Sequence, residues 1–144
     1  PYFVPGEAAR MALTSAALGG LDVRLVVPKV SDSRLVTLAA RSYFDELIAA
    51  GVKVYEYGPR MMHSKAMLCD DGLAIIGSAN FDHRSFRLNF EASLMIVDAG
   101  VAAALERVIL EEFARAPRVR EDRPRPLLTS RLPEAFARLL SPLL

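Results

Sequence analysis

Apolar residues in the first sixty positions alternate between helical spacing and short continuous runs. Residues 6–18 have helical composition and stop at a glycine pair, which is a typical helix terminator. Residues 23–27 form a valine-rich run typical of a buried strand. Residues 31–50 then predict a helix with serine and aspartate at its start, and residues 52–57 predict a second strand. This β–α–β order predicts parallel strands with helices packed on the sheet.

The pattern becomes strand-like after position 60. Residues 63–70 and 73–78 predict two strands of a hairpin, because Asp71 and Gly72 form a favoured two-residue turn. The next predicted elements are a strand and a long helix, at residues 90–97 and 99–116. Together these elements predict an α/β fold in which helices pack on both faces of a mixed β-sheet.

The C-terminal region predicts a different organisation. Residues 1–117 are expected to form one domain, and residues 118–144 an arginine- and proline-rich connector followed by an amphipathic helix packed on that domain. The predicted apolar face of this helix consists of Leu132, Ala135, Phe136, Leu139, Leu140 and Leu143. The alternative is a helix lying in a membrane interface beside anionic headgroups.

Composition narrows the possible function classes. A chain of 144 residues with a formal net charge of +1 fits one globular domain and gives no general argument for nucleic-acid binding. The single cysteine excludes a disulfide framework, and no apolar run is long enough to predict a transmembrane helix. The start at Pro1 inside an apolar stretch suggests a piece of a larger protein.

A count along the predicted hairpin brings four polar side chains together. With a two-residue turn, Lys65 faces Ser78 and His63 faces Asn80. Alternate residues of a strand share a face, and opposed Cβ atoms lie about 4.5–5.5 Å apart, so the four could contact one small anion. By the same count, Asp70 points to the other face.

This cluster suits phosphate chemistry. Lys65 supplies a cation, while Ser78 and Asn80 supply donors for phosphate oxygens. An imidazole such as that of His63 can attack phosphorus or deliver a proton to the leaving alcohol. Gly77 allows a close backbone approach beside the anion. No acidic group is arranged to hold a metal, so we expect a mechanism with no metal and no cofactor.

The same residues resemble a known family. Residues 63–70, HSKAMLCD, fit the H-x-K-x4-D motif of the phospholipase D superfamily, and Gly77-Ser-Ala-Asn80 and Glu91 follow at that family's usual intervals. Further segments resemble bacterial cardiolipin synthases: PYFVP at 1–5, SYF at 42–44, YEY at 55–57, DHRSFRLNFE at 82–91 and LSPLL at 140–144.

The resemblance implies a phospholipase D-like α/β/α sandwich half with defined residue roles. The implied catalytic residues are His63, Lys65 and Glu91, with Glu91 hydrogen-bonding and orienting the histidine. The implied phosphate ligands are His63, Lys65, Ser78 and Asn80. Structural, supporting roles fall to Asp70, Gly77, Asp82 and Arg84.

The implied reaction is phosphatidyl transfer through a phospho-histidine, which makes cardiolipin from phosphatidylglycerol. Two such motifs build one site in the family, and His83 has no lysine two residues on, so this chain carries one motif. The resemblance therefore implies the C-terminal half of an enzyme whose N-terminal half holds the second motif, or else a homodimer. In that family the first histidine is often the nucleophile, which would leave His63 as general acid and base.

The resemblance implies a full-length protein at the bacterial inner membrane, with the active domain on the cytoplasmic side. Nucleic acid is an unlikely partner, because residues 60–91 contain four basic and four acidic residues. A phospholipase D-like phosphodiesterase or nuclease of the same fold remains an alternative, as does a catalytically silent lipid-binding or dimerisation domain.

Overall fold

The computed structural model describes residues 2–70 and 72–144, which form an α/β chain. The strands in chain order are β1 Phe3–Val4, β2 Arg24–Pro28, β3 Lys53–Tyr57, β4 Ala66–Cys69, β5 Leu73–Gly77, β6 Phe81–Asp82 and β7 Ser93–Val97. The α-helices are α1 Glu7–Leu18, α2 Arg34–Ser42, α3 Phe44–Ala49, α4 His83–Arg87, α5 Ala99–Ala114 and α6 Leu132–Leu140. A π-helical turn at Leu127–Arg131 precedes α6, and a 3-10 turn at Ser141–Leu143 follows it.

Strands β2 and β3 pair in parallel, as the β–α–β spacing predicts. The crossover contains two helices instead of the single helix predicted over residues 31–50, because the chain turns at Tyr43. Helix α2 begins where the Ser33 hydroxyl accepts a backbone amide of the first turn at 3.3 Å.

Alternate side chains of β3 contact helices on opposite faces. Val54 is fully buried in a core that also contains Leu47 of α3. Tyr55 points to the other side, where its ring meets Phe113 of α5 edge-on with centroids 4.7 Å apart. The predicted α/β class with helices on both faces is confirmed.

The described strands form three sheets, where the sequence predicts one mixed sheet. Strands β1 and β6 pair in parallel, β2 pairs with β3, and β5 lies between β4 and β7 in an antiparallel sheet. Strands β1 and β6 have two residues each, which is too short to produce a hydrophobic pattern. Among the described residues, β2 and β4 each have one edge with no partner strand.

The β4–β5 hairpin has a register one residue away from the predicted one. Cys69 lies opposite Leu73, and the Gly77 amide donates to the Lys65 carbonyl at 3.1 Å. The prediction that Lys65 faces Ser78 is therefore wrong. Strand parity no longer explains how the polar side chains meet.

The shift arises in the turn of the hairpin. Asp70 has φ of 51°, a left-handed conformation that aspartate tolerates, and so belongs to the turn and not to the strand. Extending the turn by one residue moves every later pair by one position. The predicted turn also involves Asp71, which lies outside the described residues.

The chain beyond α5 covers the outer edge of β3. Val119 donates its amide to the Val54 carbonyl at 2.8 Å, and Glu56 donates to the Pro117 carbonyl at 3.1 Å. Val119 is also part of the buried core. The predicted boundary between residues 1–117 and 118–144 therefore falls where the chain is hydrogen-bonded to β3. The division into these two parts stays a prediction.

Helix α6 packs on α2 through a face that the sequence does not predict. Ala137 is fully buried, and Arg138 donates to the Ser42 carbonyl at 3.1 Å and to Glu46 at 2.9 Å. Glu134 is buried as well, paired with Arg125. Five of the six residues of the predicted apolar face are exposed instead: Leu132, Ala135, Phe136, Leu139 and Leu143.

Candidate active site

His63 and Lys65 lie in the irregular segment that leads into β4. The Lys65 ammonium nitrogen is 3.1 Å from His63 Nδ1 and 3.5 Å from Nε2, and it donates to the His63 carbonyl oxygen at 3.0 Å. Because an ammonium has no lone pair, the imidazole nitrogen that it contacts must accept. The segment therefore presents a cation and an exposed imidazole together.

The Lys65 ammonium is partly removed from water. Partial burial lowers the pKa of Lys65, while the charges of Glu91 and Asp82 act in the opposite direction. A partly desolvated ammonium interacts more strongly with an incoming anion than a fully hydrated one does. The position suits a phosphate ligand.

Glu91 is held by three donors. Its carboxylate accepts from the hydroxyl of Ser78 at 2.5 Å, the hydroxyl of Ser85 at 3.1 Å and the side-chain amide of Asn89 at 3.2 Å. These hydrogen bonds, with that of Ser78 the largest cause, lower the pKa of Glu91, and the charge of Lys65 adds to the effect. The hydrogen bond expected between Glu91 and His63 is not formed within residues 2–70 and 72–144.

Ser78 is fixed where β5 and β7 diverge. Its amide donates to the Ala92 carbonyl at 2.9 Å, and its hydroxyl oxygen accepts from the Ala92 amide at 3.0 Å. The hydroxyl proton goes to Glu91. Ser78 must rotate about its Cα–Cβ bond before it can donate to a phosphate oxygen.

Asp82 and Ser85 connect Glu91 to Asn80. The Asp82 carboxylate caps α4 by accepting the Ser85 amide at 2.7 Å, and both residues are buried. The Ser85 hydroxyl then donates to Glu91 and accepts the Asn80 amide at 3.1 Å. Sequence reasoning does not single out Ser85, which stands only within the matching segment 82–91. Its spacing from Asp82, two residues between a carboxylate and a serine at a helix start, is the signal that could have indicated it.

Asn80 has the one side-chain oxygen in this cluster that is buried without a described partner. Asn80 and Lys65 line the same cavity of about 300 Å³. A buried amide oxygen without a partner is costly, which is typical of a site that expects a ligand or a further segment of chain.

Gly77 is required by the approach of β7. A Cβ atom on Gly77 would lie 2.2 Å from Ser93 Oγ, 2.5 Å from the Ala92 carbonyl oxygen and 2.8 Å from Ser93 Cα. The sequence predicts a close approach beside the anion, but the neighbour of Gly77 is strand β7. Gly77 thus acts on the site through Ser78, its neighbour in the chain.

Asp70 and Arg84 lie at the margins of the site. Asp70 is exposed in the hairpin turn, at the opposite end of β4 from Lys65. Arg84 uses its backbone carbonyl to accept the amides of Leu88 and Asn89, at 2.8 and 2.9 Å, which ends α4 and turns the chain toward Glu91. Within the described part of the chain, no three His, Cys, Asp or Glu side chains converge as a metal site would need.

Comparison with known proteins places these residues in a family. The family described as "Cardiolipin synthase, PLD-like domain" matches residues 1–113. The cardiolipin synthase of Geobacillus kaustophilus strain HTA426 is 47% identical over 146 aligned positions, which cover 100% of this chain and 29% of the relative. Cardiolipin synthase A of Pseudomonas fluorescens strain SBW25 is 45% identical and is matched over 30% of its length. The chain thus spans less than a third of these relatives.

Solved structures support the same fold. Nuc from Salmonella typhimurium, a phospholipase D family member, superposes with a TM-score of 0.72 at 20% identity, covering 83% of this chain and 78% of its own. NucT from Helicobacter pylori gives a TM-score of 0.62 at 20% identity, covering 80% and 76%. Because the family model matches residues 1–113, the chain belongs to the cardiolipin synthase, phospholipase D-like domain family.

Proposed function

We propose that this chain is the C-terminal catalytic half of a phosphatidyltransferase that makes cardiolipin from phosphatidylglycerol. The observation that carries the proposal is the contact between His63 and Lys65, next to the cluster of Ser78 and Glu91. Relatives named cardiolipin synthase, which match the whole chain, support the same activity. Since those relatives are about three times as long, the remaining part of the protein would supply the second motif.

In the first proposed step, a histidine of the second motif attacks the phosphorus of phosphatidylglycerol. A P–N bond forms as the P–O bond to glycerol breaks, and protonated His63 gives its proton to the departing glycerol oxygen. Lys65 moves its hydrogen bond from His63 to a non-bridging phosphate oxygen, which offsets the negative charge in the transition state. Asn80 and a rotated Ser78 hold the other oxygens.

In the second proposed step, the hydroxyl of another phosphatidylglycerol gives its proton to His63. The new P–O bond forms as the P–N bond breaks, which releases cardiolipin and restores both histidines. Glu91 acts here through its charge on Lys65 and its hydrogen bond from Ser78, and not through the predicted hydrogen bond to His63. Asp82 supports it by fixing Ser85.

The proposed partners are a second motif and a membrane surface. The second motif would come from an N-terminal half of the same protein or from a second copy of this chain. No helix among the described residues is both long enough and apolar enough to cross a bilayer. Membrane contact is proposed instead for the exposed stripe of α6, where Phe136 is 63% and Leu139 is 78% exposed. We assign the bacterial inner membrane, on its cytoplasmic side, as the place of action.

The test is a pair of histidine variants in the complete protein. His63→Ala should lower cardiolipin formation from phosphatidylglycerol by at least about a hundredfold, because general acid–base catalysis contributes about 10²–10⁴. His83→Ala is the matched control, since His83 lines a separate cavity with Arg10 and Arg138. Circular dichroism should show both variants folded.

Product analysis separates the alternatives. Cardiolipin and free glycerol in equal amounts support the transferase. Phosphatidic acid as the product would mean that water is the acceptor and that the protein is a phospholipase D-type hydrolase. Unchanged turnover in His63→Ala would refute a catalytic role for this histidine and favour a silent lipid-binding or dimerisation domain.

A further inference from the structure

Tyr2 lies next to Asn80 in the small sheet formed by β1 and β6. The Phe81 amide donates to the Tyr2 carbonyl at 3.2 Å, and Phe3 lies opposite Phe81 in the parallel register. The rings of Phe3 and Phe81 stack on one face, with their centroids 5.5 Å apart. Because successive side chains of a strand point to opposite faces, Tyr2 and Asn80 share the other face. Both also line the cavity that contains Lys65, so Tyr2 borders the proposed phosphate site.

The Tyr2 hydroxyl connects this end of the site to a carboxylate. It donates to the Asp32 side chain, with oxygen–oxygen distances of 2.7 and 2.9 Å. This hydrogen bond is the largest cause that raises the pKa of Tyr2, followed by burial and by the charges of Asp32 and Asp82. The hydroxyl therefore keeps its proton, and its oxygen remains an acceptor. Lys65, whose pKa is lowered by burial, is influenced by the same Asp82 charge, so both groups lie near one buried carboxylate.

Asp32 is held in a fixed turn after β2. The Ser31 hydroxyl donates to the Ser33 carbonyl at 2.7 Å, and the Ser31 amide donates to the Thr37 hydroxyl at 3.2 Å. Asp32 itself is exposed, and within the described residues the Tyr2 hydroxyl is the one group that donates to its carboxylate. A carboxylate can accept about four hydrogen bonds, so acceptor capacity remains for a ligand.

The two ends of the site have opposite hydrogen-bonding character. At one end the Lys65 ammonium supplies donors, which suit the oxygens of a phosphate. At the other end Tyr2 and Asp32 supply acceptors and a negative charge, which suit the hydroxyl groups of an alcohol and repel a phosphate. Asn80 lies between them: its side-chain nitrogen can donate to the phosphate, while its buried oxygen, which has no described partner, can accept from a hydroxyl. A phosphate ester of an alcohol with further hydroxyl groups therefore fits in one direction.

We propose that Asp32, Tyr2 and Asn80 form the subsite for the alcohol and select one with a hydroxyl group on the carbon next to the reacting oxygen. The departing glycerol and the incoming phosphatidylglycerol both carry such a group. The inference rests on the transferase proposal, in which His63 exchanges a proton with the alcohol oxygen, so the alcohol lies on this chain's side of the phosphorus. In the transfer step the alcohol oxygen forms the new P–O bond as the P–N bond breaks, and its proton passes to His63. The neighbouring hydroxyl meanwhile donates to Asp32.

Competition between two alcohols tests this selection in the complete protein. Phosphatidylglycerol micelles are incubated with equal amounts of 1,2-propanediol and 1-propanol, and mass spectrometry measures the ratio of phosphatidylpropanediol to phosphatidylpropanol. Both alcohols react with the same phospho-histidine, so the ratio does not depend on how fast this intermediate forms or on how much protein is active. A hydrogen bond to a charged group contributes about a ten- to hundredfold preference. The original protein should favour the diol by that factor, and Asp32→Ala should lose the preference.

Asp22→Ala is the matched control, because Asp22 pairs with Arg24 and Lys53 at the other end of β2, and its product ratio should stay that of the original protein. Tyr2→Phe should lower the preference severalfold, since it removes one acceptor and the donor that holds Asp32. No preference for the diol in the original protein, an unchanged ratio in Asp32→Ala, or an equal fall in Asp22→Ala would overturn the inference. If the original protein forms neither phosphatidyl alcohol, the transferase proposal is refuted and this inference with it.

Discussion

Replacing Gly77 by alanine tests the structural support of the site without removing a polar group. The new methyl group would lie 2.5 Å from the Ala92 carbonyl oxygen and 2.8 Å from Ser93 Cα. Both are backbone atoms, so no side-chain rotation relieves the overlap. Strand β7 must move away from β5 by about 0.9 Å to bring the Ala92 oxygen from 2.5 Å to an ordinary contact of 3.4 Å.

The cost follows from the overlap and from the hydrogen bonds beside it. Overpacking of this kind costs about 1–3 kcal/mol. Ser78 exchanges hydrogen bonds of 2.9 and 3.0 Å with Ala92, and weakening them adds about 1 kcal/mol. We expect Gly77→Ala to lose about 2–4 kcal/mol of unfolding free energy and to release the Ser78 hydroxyl from Glu91.

Urea unfolding followed by far-ultraviolet circular dichroism measures the loss, because the chain has no tryptophan. The midpoint should fall by roughly 1–2 M. Gly72→Ala is the matched control, since no described atom outside its chain neighbours lies within 4 Å of a Cβ placed there, and its stability should stay equal or rise slightly. If both variants unfold at the same urea concentration, β7 does not hold Ser78 as described.

Two further predictions concern the site and the membrane. Ser85→Ala removes a donor to Glu91 and the acceptor of the Asn80 amide, so the pKa of Glu91 should rise toward its usual value of 4.5 and stability should fall by about 1–3 kcal/mol. Glu91 has a lower pKa in the folded chain than in the unfolded chain, so its stabilising contribution is present above pH 4.5 and is lost as pH falls through the lowered pKa. If an NMR titration gives the same Glu91 pKa in Ser85→Ala as in the original protein, the contact between Ser85 and Glu91 is contradicted. Replacing Phe136 and Leu139 together by serine should weaken binding to phosphatidylglycerol vesicles about tenfold, measured by flotation. Leu18→Ser, at a similarly exposed position on α1, should leave binding unchanged, and equal weakening by both variants would refute a specific membrane face.

Long patterns in the sequence were sufficient to predict the main elements of the fold. The β–α–β unit and α5 depend on many residues each, so their periodicity survives local irregularities. The hairpin register depends on one residue. Asp70 adopts a left-handed conformation, and this single choice moves Lys65 from opposite Ser78 to opposite Gly77. A strand register therefore could not be predicted from turn composition alone.

The face of α6 shows a different limit. Periodicity identifies an apolar side of a helix, and burial of that side is the usual expectation. Here ion pairs decide the orientation: Arg138 contacts Glu46, and Glu134 is buried against Arg125. Arg138 and Glu46 are 92 residues apart in the chain, and Arg125 lies in the irregular connector before α6. No local sequence pattern therefore contains these ion pairs.

The candidate site is assembled by two chain reversals, from β4 to β5 and from β5 to β7, and this explains why its residue types were predictable but its contacts were not. His63 and Lys65 precede β4, Ser78 follows β5, and Glu91 precedes β7. Neighbouring antiparallel strands begin and end at the same end of a sheet, whichever register the hairpin takes. The residues therefore lie close together although the predicted pairing of Lys65 with Ser78 is wrong. What the register changes is the partner of each donor: Ser78 turns to Glu91, and Lys65 stays with His63. In the proposed mechanism a phosphate takes the place of both hydrogen bonds, so the arrangement of the described residues corresponds to the state before a ligand binds.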